Sequence, residues 1–160
     1  MRKAILVLGL IIPVFCAAGI PFGVEGGAGL AIQENNNAFF TDGSAILHIY
    51  RNFYARTEVA SLSFPSGGTI ISLGTGQGFD VMMFLPGAGI TPYGLSGLYF
   101  MSGGGLSTFN LKLGGGAEFK LTGSKMAPFV EATIDILSTS INSHSHSTNV
   151  ITIKGGIRMR

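Results

Sequence analysis

Charge is scarce in this chain. Of 160 residues only 11% are Asp, Glu, Lys or Arg, less than half the share of an ordinary soluble domain, which is too little for the surface of a cytosolic globule. Tryptophan is absent and cysteine occurs once, at Cys16. After residue 20 no run of 18 apolar residues remains, so the body is not a helical membrane bundle. No surplus of one sign exists beyond a formal +2, and a basic footprint for nucleic acid is therefore missing. What the chain has instead is 46% apolar residues broken up by 25 glycines. The glycines follow no three-residue period, which excludes collagen. High apolar content with little charge also excludes a disordered tail.

The first residues account for part of the hydropathy. Met1-Arg2-Lys3 is a basic start, Ala4 to Phe15 is an apolar stretch interrupted by Pro13, and Cys16-Ala17-Ala18 offers small residues for cleavage. This is the pattern of a secretory signal peptide over 1–18, leaving a single domain at 19–160. Cleavage removes the only cysteine and, with Arg2 and Lys3, two of the ten basic residues. The mature chain is then neutral and forms no disulfide, despite export.

Past residue 22 the helical period fails and period 2 fits. Setting each segment's phase on its apolar residues gives strands at 22–33, 45–50, 53–64, 79–85, 93–100, 106–121, 130–136 and 151–160, with 69–78 left between strand and loop. The clearest is 106–121, where Phe109, Leu111, Leu113, Ala117, Phe119 and Leu121 alternate with Thr108, Asn110, Lys112, Gly114, Gly116, Glu118 and Lys120. Glu34 and Asp42 fall in a loop, and Arg51 and Lys125 at turns. Every other mature charge lies opposite the apolar phase. With so little charge, the large apolar face is expected to be outside and the polar face inside, as in a membrane barrel. On this phasing Leu113 faces lipid, and Gly114, facing the lumen, should accept serine.

Connections are expected at 34–43, 51–52, 65–68, 86–89, 102–105, 122–125 and 140–148. The longest are the first and the last, while every even one is a short turn. Long external loops alternating with short periplasmic turns are the habit of outer-membrane barrels. Phe109 and Phe119 are ten residues apart. At ~3.3 Å per residue and a ~40° tilt they stand about 25 Å apart along the membrane normal, the height of an apolar band. The expected aromatic girdle is Phe53, Tyr93, Phe109 and Phe119.

From about Gly23 onward the chain resembles the small eight-stranded outer-membrane barrels of the OmpA/OmpX-like, porin-family type. The resemblance is strongest in Phe84-Leu85-Pro86, Thr91-Pro92-Tyr93-Gly94-Leu95-Ser96-Gly97, Leu113-Gly114-Gly115-Gly116-Ala117-Glu118-Phe119-Lys120-Leu121 and Pro128-Phe129-Val130-Glu131-Ala132. These motifs are architectural. Barrels of this kind commonly carry a C-terminal aromatic, whereas here the last residues are Met159-Arg160. The resemblance implies an all-β, eight-stranded antiparallel up-and-down transmembrane barrel in the cell outer membrane, with both termini periplasmic. Its partners would be outer-membrane lipid, lipopolysaccharide and the barrel-assembly machinery.

Eight strands leave an interior that side chains can fill. Glu25, Arg56, Glu58, Asp80, Lys112, Glu118, Lys120, Glu131, Asp135, Lys154 and Arg158 are expected to form a mixed-charge network there, since buried charges must pair. A paired plug argues for a structural or surface-interaction role rather than a wide pore.

Two other functions fit parts of the sequence. One is a soluble exported lipocalin-like binder of apolar ligands, with the faces inverted. The other is a barrel-type lipid A-modifying enzyme built on Ser143-His144-Ser145-His146-Ser147-Thr148-Asn149. His-x-His supplies two metal ligands where three or four are needed. Thr148 stands where a serine nucleophile should be, and no carboxylate follows Asp135 to orient a histidine. No catalytic residue, metal or cofactor is therefore assigned.

Overall fold

The computed structural model describes residues 21–34, 36–73, 78–103, 106–141 and 144–160; the segment 1–18, expected to be a signal peptide, lies outside them. The elements are β1 (Phe22–Gln33), β2 (Asn36–Tyr50), β3 (Phe53–Phe64), β4 (Ile70–Leu73), β5 (Gly78–Phe84), β6 (Ile90–Gly103), β7 (Leu106–Phe119), β8 (Met126–Ile141) and β9 (His144–Met159). Neighbours pair antiparallel, and β4 and β5 both pair with β3, so they share one position in the wall. β1 pairs with β9 from Val24↔Met159 to Ile32↔Ile151, which closes the sheet. The result is an eight-stranded antiparallel up-and-down barrel. Closure removes the long strand edges that could recruit another chain; among the described residues only the four-residue β4 keeps a single partner, β3.

Side chains alternate across the wall as the pleat requires. Val24, Leu30, Leu98, Leu113, Val130, Ile134 and Ile153 lie outside and are each about half exposed. Glu25, Arg56, Asp80, Glu118, Glu131, Asp135, Lys154 and Arg158 lie inside and are buried. The apolar part of the interior is small: Ile46, Met82, Phe84, Tyr93 and Leu95 pack together, with Tyr54 against them.

The expected long loops are absent among the described residues. Gln33 pairs with Asn36, Gly103 with Leu106 and Ile141 with His144, so these three hairpins are tight. The stretch 36–43, which carries Phe39 and Phe40 between polar residues, and the polar stretch 144–148, together with Ser140, are strand instead of loop. Ladder hydrogen bonds to in-register neighbours hold them, whatever the polarity of their side chains. The strands thus run on past the apolar band as a polar rim. Ile70–Leu73 is strand as well, settling part of the ambiguous stretch; residues 74–77 lie outside the described set.

Two irregularities of phase, a blurred stretch in β3 and a misread strand in β6, have identifiable causes. In β3 the outward pattern slips at Leu62 and Phe64. Gly43 pairs with Ala60 but Ser44 with Glu58, leaving Val59 as the extra residue of a β-bulge. A bulge shifts every later side chain to the other face. Phe64 then turns outward and stacks on its cross-strand partner Phe39, with centroids 6.1 Å apart. In β6 the whole phase is inverted. Leu98 and Phe100 face out, while Tyr93 and Leu95 face in and are buried. This strand has apolar residues on both faces and no charge, so nothing in its sequence marks the lumen side.

Gly114 also departs from expectation. A Cβ there would meet the Ala132 carbonyl oxygen and, at 2.8 Å, the Thr133 Cα. Both are backbone of the neighbouring strand and cannot move aside cheaply. Gly114→Ala is therefore expected to destabilise the barrel by roughly 1–3 kcal/mol, as overpacking does. Gly94, on the outer face with open space around it, should accept alanine without loss. Urea titration of the two variants, folded in detergent, compares them directly.

Candidate functional site: the charged lumen

Arg56 on β3 sits at the centre. Its Nε and Nη2 donate to Asp80 Oδ2 at 2.8 and 2.5 Å. Nη1 donates to Glu25 Oε1 at 2.9 Å and to Glu131 Oε2 at 2.7 Å. Glu25 is the second hub, for it accepts from three cations. Arg158 reaches its Oε2 through Nε and Nη2 at 2.8 and 2.7 Å, and Lys154 Nζ reaches Oε1 at 3.1 Å. The topology explains this meeting: Glu25 and Arg158 are register partners across the β1–β9 seam. Arg56 and Asp80 are partners across β3–β5. In both pairs Nε and Nη2 converge on one carboxylate oxygen, whereas Arg56 and Glu131 meet fork to fork, Nη1 on Oε2 and Nη2 on Oε1.

The network extends both ways along the barrel axis. Toward the chain termini, Arg158 Nη1 donates to Glu118 Oε2 at 3.2 Å and Arg160 Nη2 to Glu118 Oε1 at 2.6 Å. The two arginines cover aromatic rings. Arg158 lies 4.8 Å from the Tyr93 centroid and 4.6 Å from that of Phe129, and Arg160 lies 4.0 Å from that of Phe84. Toward the opposite rim, Asp135 accepts from Asn110 and Thr133. Lys112 Nζ stands 4.0 Å from Asp80 and from Asp135, over the Tyr99 ring.

Three sequence assignments need correction. Tyr93 is not a girdle residue. It points inward, donating its hydroxyl to Glu131 Oε2 at 2.9 Å and accepting from Arg158, whereas Phe53, Phe109 and Phe119 do lie on the outer face. Lys120 is not in the network. β7 ends at Phe119, and the exposed Lys120 ammonium donates to the Gly87 carbonyl at 3.3 Å. Asp42 is not in a loop. It lies on β2, where its Oδ2 accepts from Lys154 at 2.9 Å. Glu58, half-buried, has no ion pair among the described residues.

Asp42, Tyr93 and Tyr99 are the members the sequence reading placed elsewhere; Arg160, already on the lumen phase, was left out of the expected network. Asp42 was findable by phase, since it precedes Ser44 and Ile46 by even steps. The tyrosines could not be found that way, because their strand carries no charge. Tyr99 donates to Asp80 Oδ1 at 2.7 Å, so both tyrosines serve the carboxylates rather than lipid.

The ion pairs thus join five cations (Arg56, Lys112, Lys154, Arg158, Arg160) and six carboxylates (Glu25, Asp42, Asp80, Glu118, Glu131, Asp135). Such an arrangement fills space and fixes geometry. The described residues contain no group of three or more metal-ligating side chains. His146 lies on β9 opposite Thr139, remote in register from the network.

No family model matches the chain, and no curated protein does. Among solved structures, Neisserial surface protein A matches with a TM-score of 0.55 at 11% identity, covering 88% of this chain and 96% of that one. A mutant of the Rh. blastica porin aligns over 88% of this chain and 99% of that one at 8% identity, but its TM-score of 0.19 is no likeness of fold. By fold, the chain is similar to the eight-stranded barrel of Neisserial surface protein A.

Proposed function

We propose that this chain is a small outer-membrane β-barrel protein with a structural or surface-interaction role and a plugged polar lumen. It would be exported by the leader at 1–18 and inserted by the barrel-assembly machinery. Both termini would be periplasmic, with lipid and lipopolysaccharide around the wall. The observation that carries this reading is the inside-out distribution of side chains. Among the described residues, the buried set holds eleven polar or charged residues against seven apolar ones, while leucines, isoleucines and phenylalanines cover the exterior. A soluble carrier of apolar ligands needs the reverse. The polar rim beyond the apolar band, with Asn36, Ser145, His146 and Ser147 exposed, is the surface offered to whatever lies outside the cell.

Fractionation with unheated and boiled electrophoresis tests the assignment. The protein should pellet with outer membrane and change mobility on boiling; a soluble product with unchanged mobility overturns the reading. In planar bilayers the barrel should conduct little current, because opposite charges meet across the lumen and exclude a continuous water column. Arg158→Ala, which uncovers Glu25 and Glu118, should give small channels. Porin-like conductance in the unaltered protein would refute the plug.

The reading includes no catalysis. Replacing His144 and His146 together by alanine is expected to leave barrel assembly, lipid A mass and metal content unchanged. Loss of a modified lipid A species in that variant would establish an enzyme instead.

A further inference from the structure

At the end of the barrel that carries the termini, a cavity of about 230 Å³ opens between the 51–52 turn and the 85–89 turn. Its wall includes Asn52, Leu85, Thr91, Lys120 and Arg160, and no Asp or Glu side chain. We propose that this pocket binds the phosphate of an anionic phospholipid headgroup in the leaflet nearest the termini, an inference that rests on the outer-membrane reading above.

Several independent features converge there. Lys120 spends one donor on the Gly87 carbonyl, leaving two of its three ammonium hydrogens for a ligand. Arg160 brings a second cation, held in place by Glu118 and the Phe84 ring. Thr91 is only 5% exposed, and its hydroxyl has no hydrogen-bond partner among the described residues. A buried hydroxyl left unpaired is costly, and a phosphate oxygen is an acceptor that would satisfy it. Leu85 belongs both to the pocket wall and to the apolar exterior, where it is 46% exposed. A lipid could therefore place its headgroup in the pocket with its acyl chains along the wall outside. The cations Arg51 and Lys125, on the turns of the same end, add to the positive field. Glu118, the one acid among them, is already tied to Arg158 and Arg160.

Native mass spectrometry of the folded barrel in detergent, titrated with phosphatidylglycerol, phosphatidylcholine or inorganic phosphate, tests this. Phosphatidylglycerol should bind as a single preferred adduct. Lys120→Gln should weaken it about tenfold, the loss of one charge-assisted contact, and Thr91→Val should weaken it while leaving the fold intact. Lys125→Gln, on the neighbouring turn but outside the pocket, should change affinity less than twofold. Equal weakening by Lys120→Gln and Lys125→Gln would replace the pocket with a diffuse basic rim and overturn the proposal. Displacement by inorganic phosphate at matched concentration would overturn the lipid source. A barrel that changes mobility on boiling yet shows no preference for phosphatidylglycerol refutes this site alone, whereas failure to pellet with membrane or to change mobility refutes the outer-membrane reading itself.

Discussion

Arg56→Ala is expected to cost the barrel about 3–5 kcal/mol, the usual penalty for removing one partner of a buried ion pair. That is a large part of the stability a small domain has. One substitution takes a guanidinium contact of 3.0 Å or less from three carboxylates at once, Asp80, Glu25 and Glu131. Lys154 and Arg158 still neutralise Glu25, but among the described residues Asp80 keeps Tyr99 and the distant Lys112, and Glu131 keeps Tyr93 and the charge of its register partner Lys154. Arg56→Lys preserves the charge without the fork and should fall between the two. Urea titration in detergent, with unheated electrophoresis reporting the folded fraction, ranks the three proteins. Equal midpoints for Arg56→Ala and the parent would mean that water already screens these charges, and the plug would have to be abandoned.

Leu113→Arg should reduce assembly nearly as strongly. Leu113 lies on the outer face in the middle of β7, and an arginine at the bilayer midplane of a barrel costs roughly 2–4 kcal/mol. Leu113→Phe, still apolar, should assemble normally. The experiment discriminates because the same exchange on a water-exposed strand is worth less than about 0.5 kcal/mol. The readout is the share of protein reaching the form that changes mobility on boiling. Normal assembly of Leu113→Arg would place water, not lipid, against β7.

The sequence was legible where two signals agreed. In β7 and β8 an unbroken apolar phase coincides with charges on the opposite phase, and Lys112, Glu118, Glu131 and Asp135 all lie inside. Where one signal was missing, the reading failed. In β6 tyrosines and leucines occupy both faces, and only the tertiary partners Glu131 and Asp80 decide that Tyr93 and Tyr99 turn inward. At Val59 a bulge resets the phase; Leu62 and Phe64 blur the pattern after it, but no local residue marks where the extra residue lies. The polar segment 144–148 looks like a loop because polarity and strand formation are separate properties, and in 36–43 the asparagines and Asp42-Gly43 hide the strand signal of Phe39 and Phe40; the ladder with in-register neighbours decides in both. Gly114 illustrates a fourth limit. The pattern gives its face, but only the packing of β8 reveals that a Cβ has nowhere to go.

The seam between β1 and β9 has a consequence for how the molecule comes into being. Glu25 and Arg158 are 133 positions apart, so their union belongs to the most non-local contacts the chain makes. Folding rates fall as contacts become more distant in sequence, and the loop that this pairing closes is nearly the whole protein. A nascent chain lacking β9 would present two unpaired borders, on β1 and on β8, and a Glu25 without its counter-ions Arg158 and Lys154. Zippering can begin at any of the tight hairpins, yet the cylinder is finished only when the last strand arrives. Shortening the chain by that single strand should therefore yield an aggregating ribbon in place of a seven-stranded barrel.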